Sequence, residues 1–299
     1  MSTRWRIIGR TTGWRSTLFV TLALLVGYAW LCWPLISSLT VPNREQLNRE
    51  FPFVLCALLT LTCLVGFGLW LDMGRRLANV APIPLLVGIG LGARLLLSPG
   101  SSGIEPVFWI PMLAGLALGS AAGWITGVAT MCLIALAMGN VTTPLLGQLI
   151  VMGTWGVVGG WLHRLRTLWA WLASLAAMLP LGVLTGLSLN IMGWASEGAS
   201  DTNSFVPGLG PVDTFARIWQ YTLDTSAAYD TVRVITNMCC MLVAGIPLLR
   251  FLRSAYWAAE PEWVDEVSPP PTIAPSALAR RRRSALLHSI WDSTKENAS

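Results

Sequence analysis

The feature that most constrains this chain is an apolar, glycine-rich stretch at residues 103–127, GIEPVFWIPMLAGLALGSAAGWITG. Four of its glycines stand four residues apart: Gly115, Gly119, Gly123 and Gly127. On a helix that spacing brings them to one face. A face without side chains lets neighbouring backbones approach closely, and helices inside a bilayer associate through such faces. The stretch therefore predicts helices that pack together inside a membrane protein.

The composition supports a membrane location and excludes an ordinary soluble domain. Of the 299 residues, 54% are hydrophobic and only 12% are charged, whereas soluble domains carry about 25% charged residues. The 16 tryptophans fit the aromatic belts of bilayer interfaces. The net charge of +5 comes mostly from arginines beside apolar segments and in the tail. The six cysteines lie in apolar runs without metal-ligand spacing, so we expect them to pack and expect no metal site.

The apolar runs predict an all-α integral membrane protein with eight transmembrane helices. Residues 1–79 are predicted to hold a cytoplasmic segment and two additional spans, and residues 80–255 a six-helix core. The proline- and arginine-rich tail, residues 256–299, is expected to be cytoplasmic and disordered. Its Arg280–Arg283 cluster fits a solvated tail or lipid headgroups better than nucleic acid. The spans are predicted near residues 18–39, 53–71, 83–97, 106–119, 124–139, 144–163, 169–194 and 227–249.

The arginines near the span ends predict the orientation. Ten lie on one side of the membrane and two, Arg44 and Arg49, on the other. Positive residues accumulate in cytoplasmic loops, so both termini are expected in the cytoplasm. Loops 98–103, 140–143 and 195–213 are then expected outside. The ten arginines are Arg4, Arg6, Arg10, Arg15, Arg75, Arg76, Arg164, Arg166, Arg250 and Arg253.

Several polar side chains lie in or beside the apolar segments, where a charge at mid-span costs about 2.5–3.5 kcal/mol. Arg94 and Glu105 are expected at the same outer face, close enough to pair. Asp230 and Arg233 are one turn apart on one face of the last helix, and Asn237 lies a turn deeper on the same face. These groups predict a ligand site in the outer half of the membrane.

Four further residues complete the predicted site. Phe108 and Trp109 are expected to give apolar or stacking contacts to a ligand, and Gln148 and Tyr221 lie near the same outer face. One alternative stays open, in which the charged groups only pair with one another and hold helices together.

Enzyme motifs are missing from the sequence. It contains no HExxH, no aspartate-rich prenyl-diphosphate motif, no GxSxG and no P-loop. No catalytic residue or cofactor is therefore predicted for this chain, and ATP-driven work is expected from partner chains. Two other hypotheses remain: an intramembrane enzyme that uses Asp230, Asp224 or Glu105 as acid–base groups, and a structural subunit whose glycine faces assemble a larger complex.

Four segments together resemble the substrate-binding (S) component of energy-coupling factor (ECF) vitamin transporters. They are GIEPVFWIPMLAGLALGSAAGWITGVAT, TPLLGQLIVMGTWGVVGGWL, SFVPG and TSAAYDTVRVITN, within about residues 80–253. The first two spans then match a branch of that family with two extra N-terminal helices. Two departures stand out: the loop GNVTTP lacks the family's usual tryptophan, and Gly88 and Gly92 replace alanines of a docking motif.

The resemblance implies a subunit that captures a vitamin from outside a bacterial plasma membrane. It implies three protein partners, namely a transmembrane coupling subunit and two ATPase subunits that use ATP. It also implies docking of the coupling subunit at Gly88 and Gly92, a cobalamin-like vitamin or precursor as cargo, contact with membrane lipids, and no nucleic-acid partner.

Overall fold

The computed structural model describes residues 13–32, 44–75, 80–97, 103–194, 203–259 and 284–286. The chain divides into two units, Met1–Ala259 and Glu260–Ser299. Every regular element in the described part is helical. The first unit contains α1 (Trp14–Leu31), α2 (Arg44–Asp72), α3 (Pro82–Leu97), α4 (Trp109–Leu118), α5 (Ser120–Ala137), α6 (Pro144–Trp161), α7 (Thr167–Trp194), α8 (Pro211–Thr225), α9 (Ala227–Cys240), a π-helical segment (Met241–Gly245) and α10 (Ile246–Ala259).

Five helical stretches are long and apolar enough to cross a membrane. The prediction of a helical membrane protein is confirmed in this coarse form, but the predicted eight spans are not. α4 has 10 residues, which is about 15 Å of helix against a hydrocarbon core of about 30 Å. α3 has 16 residues, which is about 24 Å of helix. The five stretches are Trp14–Leu31, Asn48–Asp72, Ser120–Ala137, Thr167–Ile191 and Ala227–Ser254.

The glycine-rich stretch forms two helices, α4 and α5, where spans were predicted near residues 106–119 and 124–139. Gly119 separates them with φ 95° and ψ 172°, a conformation that only glycine adopts readily. The predicted start of the second span near residue 124 is therefore wrong by a few residues, since α5 already begins at Ser120. Every residue of α4 is buried, so this helix lies at the centre of the bundle.

The predicted close approach of backbones occurs between α4, α5 and α6. A Cβ atom added to Gly115 or Gly123 would collide with the carbonyl oxygen of Gly156, and one added to Gly127 with that of Met152. Because the obstacle is backbone in each case, no rotamer change relieves it. The glycines therefore set the spacing of the three central helices.

The glycines of α3 behave differently. A Cβ atom at Gly88 or Gly92 would find nothing within 4 Å, whereas one at Gly90 would press against the Thr130 side chain. One side of α3 thus packs on α5, while the side with Gly88 and Gly92 is open within the described structure. An open side leaves room for a partner helix, and the docking role of the two glycines stays a prediction.

The two N-terminal helices pack directly on the core through polar as well as apolar contacts. The Tyr28 hydroxyl lies 3.0 Å from Thr154 Oγ1 on α6. The Trp124 indole N–H on α5 donates to Thr62 Oγ1 on α2 over 3.1 Å. Several predictions lie outside the described residues: the segment 1–12, the loop residues 98–102, most of the tail, and the Arg280–Arg283 cluster.

Arg253 on α10 holds together the helix ends opposite the predicted site. Its guanidinium donates to the carbonyl oxygens of Leu116 and His163, both at 2.9 Å, and of Leu165 at 3.2 Å. The last carbonyl groups of a helix have no partner within that helix, so a buried helix end needs such a donor. The His163 ring adds to the cluster, since its Nδ1 lies 2.9 Å from the Leu116 oxygen.

His163 should make the stability of the protein depend on pH. It lies between α6 and α7, and burial lowers the pKa of its imidazole below the usual 6.5, with the nearby charges of Arg253 and Arg164 acting in the same direction. The unfolded chain therefore binds this proton at a higher pH than the folded chain does. The folded state is favoured by the neutral form of His163. This contribution to the free energy of unfolding is complete above pH 6.5, and it is lost as the pH falls through the lower pKa of the folded state.

We expect the thermal midpoint of the purified protein to decrease as the pH is lowered from 7 to 5. In the His163→Gln variant, which keeps a polar side chain without the titration, that pH-dependent part should be absent. Parallel melting curves for the two proteins across this range would contradict the assignment.

Candidate ligand-binding site

Four charged side chains that the sequence singles out form one continuous network. Arg94 Nη1 lies 3.0 Å from Glu105 Oε1, and Arg233 Nε lies 2.8 Å from Glu105 Oε2. Arg233 Nη1 also pairs with Asp230 Oδ1. Both predicted pairs therefore form, and Glu105 joins them into what we call the four-charge network: Arg94, Glu105, Arg233 and Asp230.

The network runs from a partly exposed end to a buried end. The side chains of Arg94 and Glu105 are 22% and 25% exposed, whereas those of Arg233 and Asp230 are each 10% exposed. Two positive and two negative charges alternate along it, so its formal charge is zero. A buried charge without a partner is costly, and this alternation gives each buried charge an opposite neighbour.

The loop before α4 positions Glu105, and Asn237 on α9 holds that loop in place. Asn237 is fully buried. Its Oδ1 accepts the backbone N–H of Trp109 over 2.9 Å, and its Nδ2 donates to the Glu105 carbonyl oxygen over 2.8 Å. At the start of the loop, Gly103 has φ 75° and lies against the Tyr229 backbone. The Asn237 amide thus binds the backbone of this loop, and the ligand contact predicted for it stays a prediction.

The two predicted aromatic residues lie in the core below the network. Phe108 and Trp109 are 5% and 7% exposed. The Arg233 guanidinium carbon lies 5.5 Å from the Phe108 ring centroid, a cation–π contact, and the Phe108 and Trp155 rings are 5.3 Å apart. Phe108 thus supports Arg233 directly, and the ligand contacts predicted for both aromatics stay a prediction.

Two polar residues that the sequence reasoning left out of the site extend the network. The Ser226 hydroxyl lies 3.0 Å from Asp230 Oδ2, at the junction of α8 and α9. Asn190 on α7 donates to Ser226 Oγ over 2.8 Å. The spacing of Ser226 and Asp230, four residues apart, is a signal for side chains on one helix face. No sequence signal indicates that α7 supplies Asn190.

The remaining two predicted residues are Tyr221 on α8 and Gln148 on α6. Tyr221 packs against a separate apolar cluster. Gln148 is half-buried on α6, and within the described ranges no hydrogen bond links it to the four charges. The apolar cluster beside Tyr221 consists of Ile191, Trp194, Phe205 and Ile218.

The chemistry of the site is that of recognition by charge and hydrogen bonding. In the described part of the chain, no three histidine, cysteine, aspartate or glutamate side chains are grouped so as to hold a metal ion. Both carboxylates of the network already accept from arginine. Comparison with protein-family models, curated proteins and solved structures found no match. The site itself and the sequence pattern are therefore the grounds for a functional proposal.

Proposed function

We propose that this protein is the substrate-capture subunit of an ATP-driven ECF-type vitamin importer in a bacterial plasma membrane, with both termini in the cytoplasm. The observation that carries the proposal is the four-charge network, which joins the loop before α4 to α3 and α9 and leaves its Arg94–Glu105 end partly exposed. Paired charges retained among apolar helices typically mark a site for a ligand or ion. Cobalamin or a related vitamin or precursor is the proposed cargo, on the resemblance of the sequence.

Glu105 is the residue best placed to meet such a cargo. A carboxylate offers about four acceptor positions, and Arg94 and Arg233 supply one hydrogen bond each. Its side chain is 25% exposed, so a ligand donor reaches it without breaking the buried Arg233–Asp230 pair. Because Glu105 sits on the loop that Asn237 fixes to α9, ligand contact at Glu105 also bears on the position of that loop.

Glu105→Gln is expected to lower cobalamin affinity by about tenfold or more, because a hydrogen bond to a charged group contributes about 1.5–3 kcal/mol and 1.4 kcal/mol is tenfold. The thermal midpoint should change little, since Gln keeps the size of Glu and one acceptor oxygen. Titration of the detergent-purified protein with cobalamin measures the affinity, and mass spectrometry of co-purified small molecules identifies any other cargo.

The matched control is Asp213→Asn, an exposed carboxylate on α8 outside the network. It should bind cobalamin like the wild type. Absence of any retained small molecule and of cobalamin binding in the wild-type protein would overturn the capture function.

Gly92→Leu is expected to abolish uptake and to leave ligand binding unchanged. The side of α3 with Gly88 and Gly92 is open to a Cβ atom, so a leucine there obstructs a partner helix but not the fold. Uptake is measured in proteoliposomes with the coupling subunit and both ATPase subunits. Uptake at the wild-type level by this variant would contradict the assignment of α3 as the docking face. Accumulation of the cargo by the isolated chain without ATP would overturn the ATP-driven mechanism.

A further inference from the structure

A cavity of about 540 Å³ lies between α7 and the α8–α9 pair. Apolar side chains form most of its wall, among them Leu179, Val183, Leu223 and Ile235. These four are 57%, 48%, 45% and 55% exposed, and three of them belong to membrane-spanning stretches. In a spanning helix, exposed apolar side chains face lipid, so the cavity opens towards the bilayer.

Asp230 gives this apolar cavity a polar wall. Among its lining residues Asp230 is the single ionisable one, and Thr222 and Thr231 add hydroxyl groups. The Asp230 carboxylate receives Arg233 at Oδ1 and the Ser226 hydroxyl at Oδ2, which leaves about two of its four acceptor positions. The carboxylate therefore has capacity for a donor that arrives from the cavity.

Two glycines of α7 make room for this arrangement. A Cβ atom at Gly186 would collide with the Asp230 carboxylate, and one at Gly182 with the Val234 side chain. With any larger residue at position 186 the carboxylate has to move. α7 thus accommodates a carboxylate in mid-bundle while Gly182, one turn away, lines the cavity itself.

The charge balance narrows the chemistry of the occupant. The four-charge network sums to zero, so a charged headgroup brought into the cavity would be desolvated without a counter-charge. An uncharged hydroxyl or amide N–H, by contrast, gains a charge-assisted hydrogen bond to the carboxylate. The apolar wall and the volume suit a ligand with an apolar body, since small-molecule pockets are typically about 300–1,000 Å³ and mostly apolar.

We propose that this cavity is a second binding site, which takes an uncharged amphiphile from the bilayer. Its apolar body lies between α7 and α9, and its hydroxyl or amide N–H donates to Asp230. The site faces lipid, whereas the capture site proposed above begins at the exposed Arg94–Glu105 end of the network. The two sites share Asp230 and are tested separately.

The test uses three matched photoreactive probes, each a benzophenone: 4-benzoylbenzyl alcohol, 4-(aminomethyl)benzophenone as its ammonium, and 4-benzoylbenzoate. The full-length protein in phosphatidylcholine vesicles is irradiated with each probe, and the adducts are mapped by peptide mass spectrometry. We expect the alcohol to label residues 179–183 and 231–238 about tenfold more than either charged probe.

Two tryptophan variants separate the cavity from the lipid-facing surface. Val183→Trp fills the cavity and should remove most of the labelling by the alcohol. Leu184→Trp is the control, since Leu184 is also an exposed residue of α7, at 37%, but does not line the cavity. The alcohol should label this variant as strongly as the wild type. Asp230→Asn removes the negative charge beside Arg233 and should shift the preference towards the benzoate.

Equal labelling by all three probes, or labelling unchanged by Val183→Trp, would overturn the proposal and leave a surface filled by lipid chains. Preferential labelling of the wild type by the benzoate or the ammonium would also overturn it. Cobalamin binding by the Val183→Trp variant is measured in parallel. Its retention together with loss of alcohol labelling supports two sites, and its loss would contradict their separation.

Discussion

Gly156→Leu is expected to give no folded protein, while Gly92→Leu is expected to fold like the wild type. At Gly156 a Cβ atom would collide with the backbone carbonyl group of Gly123. Overpacking a core typically costs about 1–3 kcal/mol, and here the obstacle is a buried backbone that has no other rotamer. At Gly92 nothing lies within 4 Å, so the added side chain meets lipid or a partner.

Size-exclusion profiles and thermal midpoints of the two variants in the same detergent measure the difference. The smaller change Gly156→Ala should already lower the midpoint, because the collision begins at Cβ. Gly88→Ala is its control, since a Cβ atom at Gly88 also meets nothing. Equal midpoints for Gly156→Ala and Gly88→Ala would show that α5 and α6 are not held at the backbone spacing described.

Arg233→Met is expected to be the most damaging change within the four-charge network. Arg233 forms an ion pair with Asp230, and its guanidinium also lies over the Phe108 ring. Removing one partner of a buried ion pair typically costs about 3–5 kcal/mol, because a buried charge is left uncompensated. Methionine fills much of the same space, so lost packing contributes little to the expected effect.

Arg94→Met is the matched control, since Arg94 pairs with the same Glu105 at the exposed end. This pair is only partly exposed, but water screens it more than the buried Arg233–Asp230 pair, so the midpoint should fall less than in Arg233→Met. Adding Asp230→Asn to Arg233→Met should recover part of the loss, because it removes the uncompensated charge. Equal losses for the two arginine variants, or no recovery in the double variant, would contradict the division into a buried and an exposed end.

The helical membrane architecture was predictable because it follows from composition and from the length of the apolar runs. The number of spans was not predictable, since the span predicted near residues 106–119 contains a helix of only ten residues, Trp109–Leu118. Glycine favours both close helix packing and positive φ. The regular spacing of Gly115, Gly119, Gly123 and Gly127 does not show that Gly119 adopts a positive φ or that the helix before it is only ten residues long.

The candidate site was predictable where it depends on local spacing. The Asp230–Arg233 pair follows from helix geometry, and the Arg94–Glu105 pair from the short connection between their segments. That Glu105 also binds Arg233, 128 residues away, depends on tertiary packing. Asn237 shows the same limit, because the sequence does not reveal that its amide hydrogen-bonds the backbone of the loop before α4.

The ten buried residues of α4 also bear on how the protein is made. A segment of this length is too short to leave the translocation channel as a stable span by itself, and in the folded protein all ten of its residues pack against other parts of the chain. Its main packing partners, α5 and α6, are synthesised after it. We therefore expect α4 to enter the bilayer late, together with those two helices, so that biosynthesis has a checkpoint once residue 161 has emerged. Nascent chains that stop earlier would present α4 to membrane quality control.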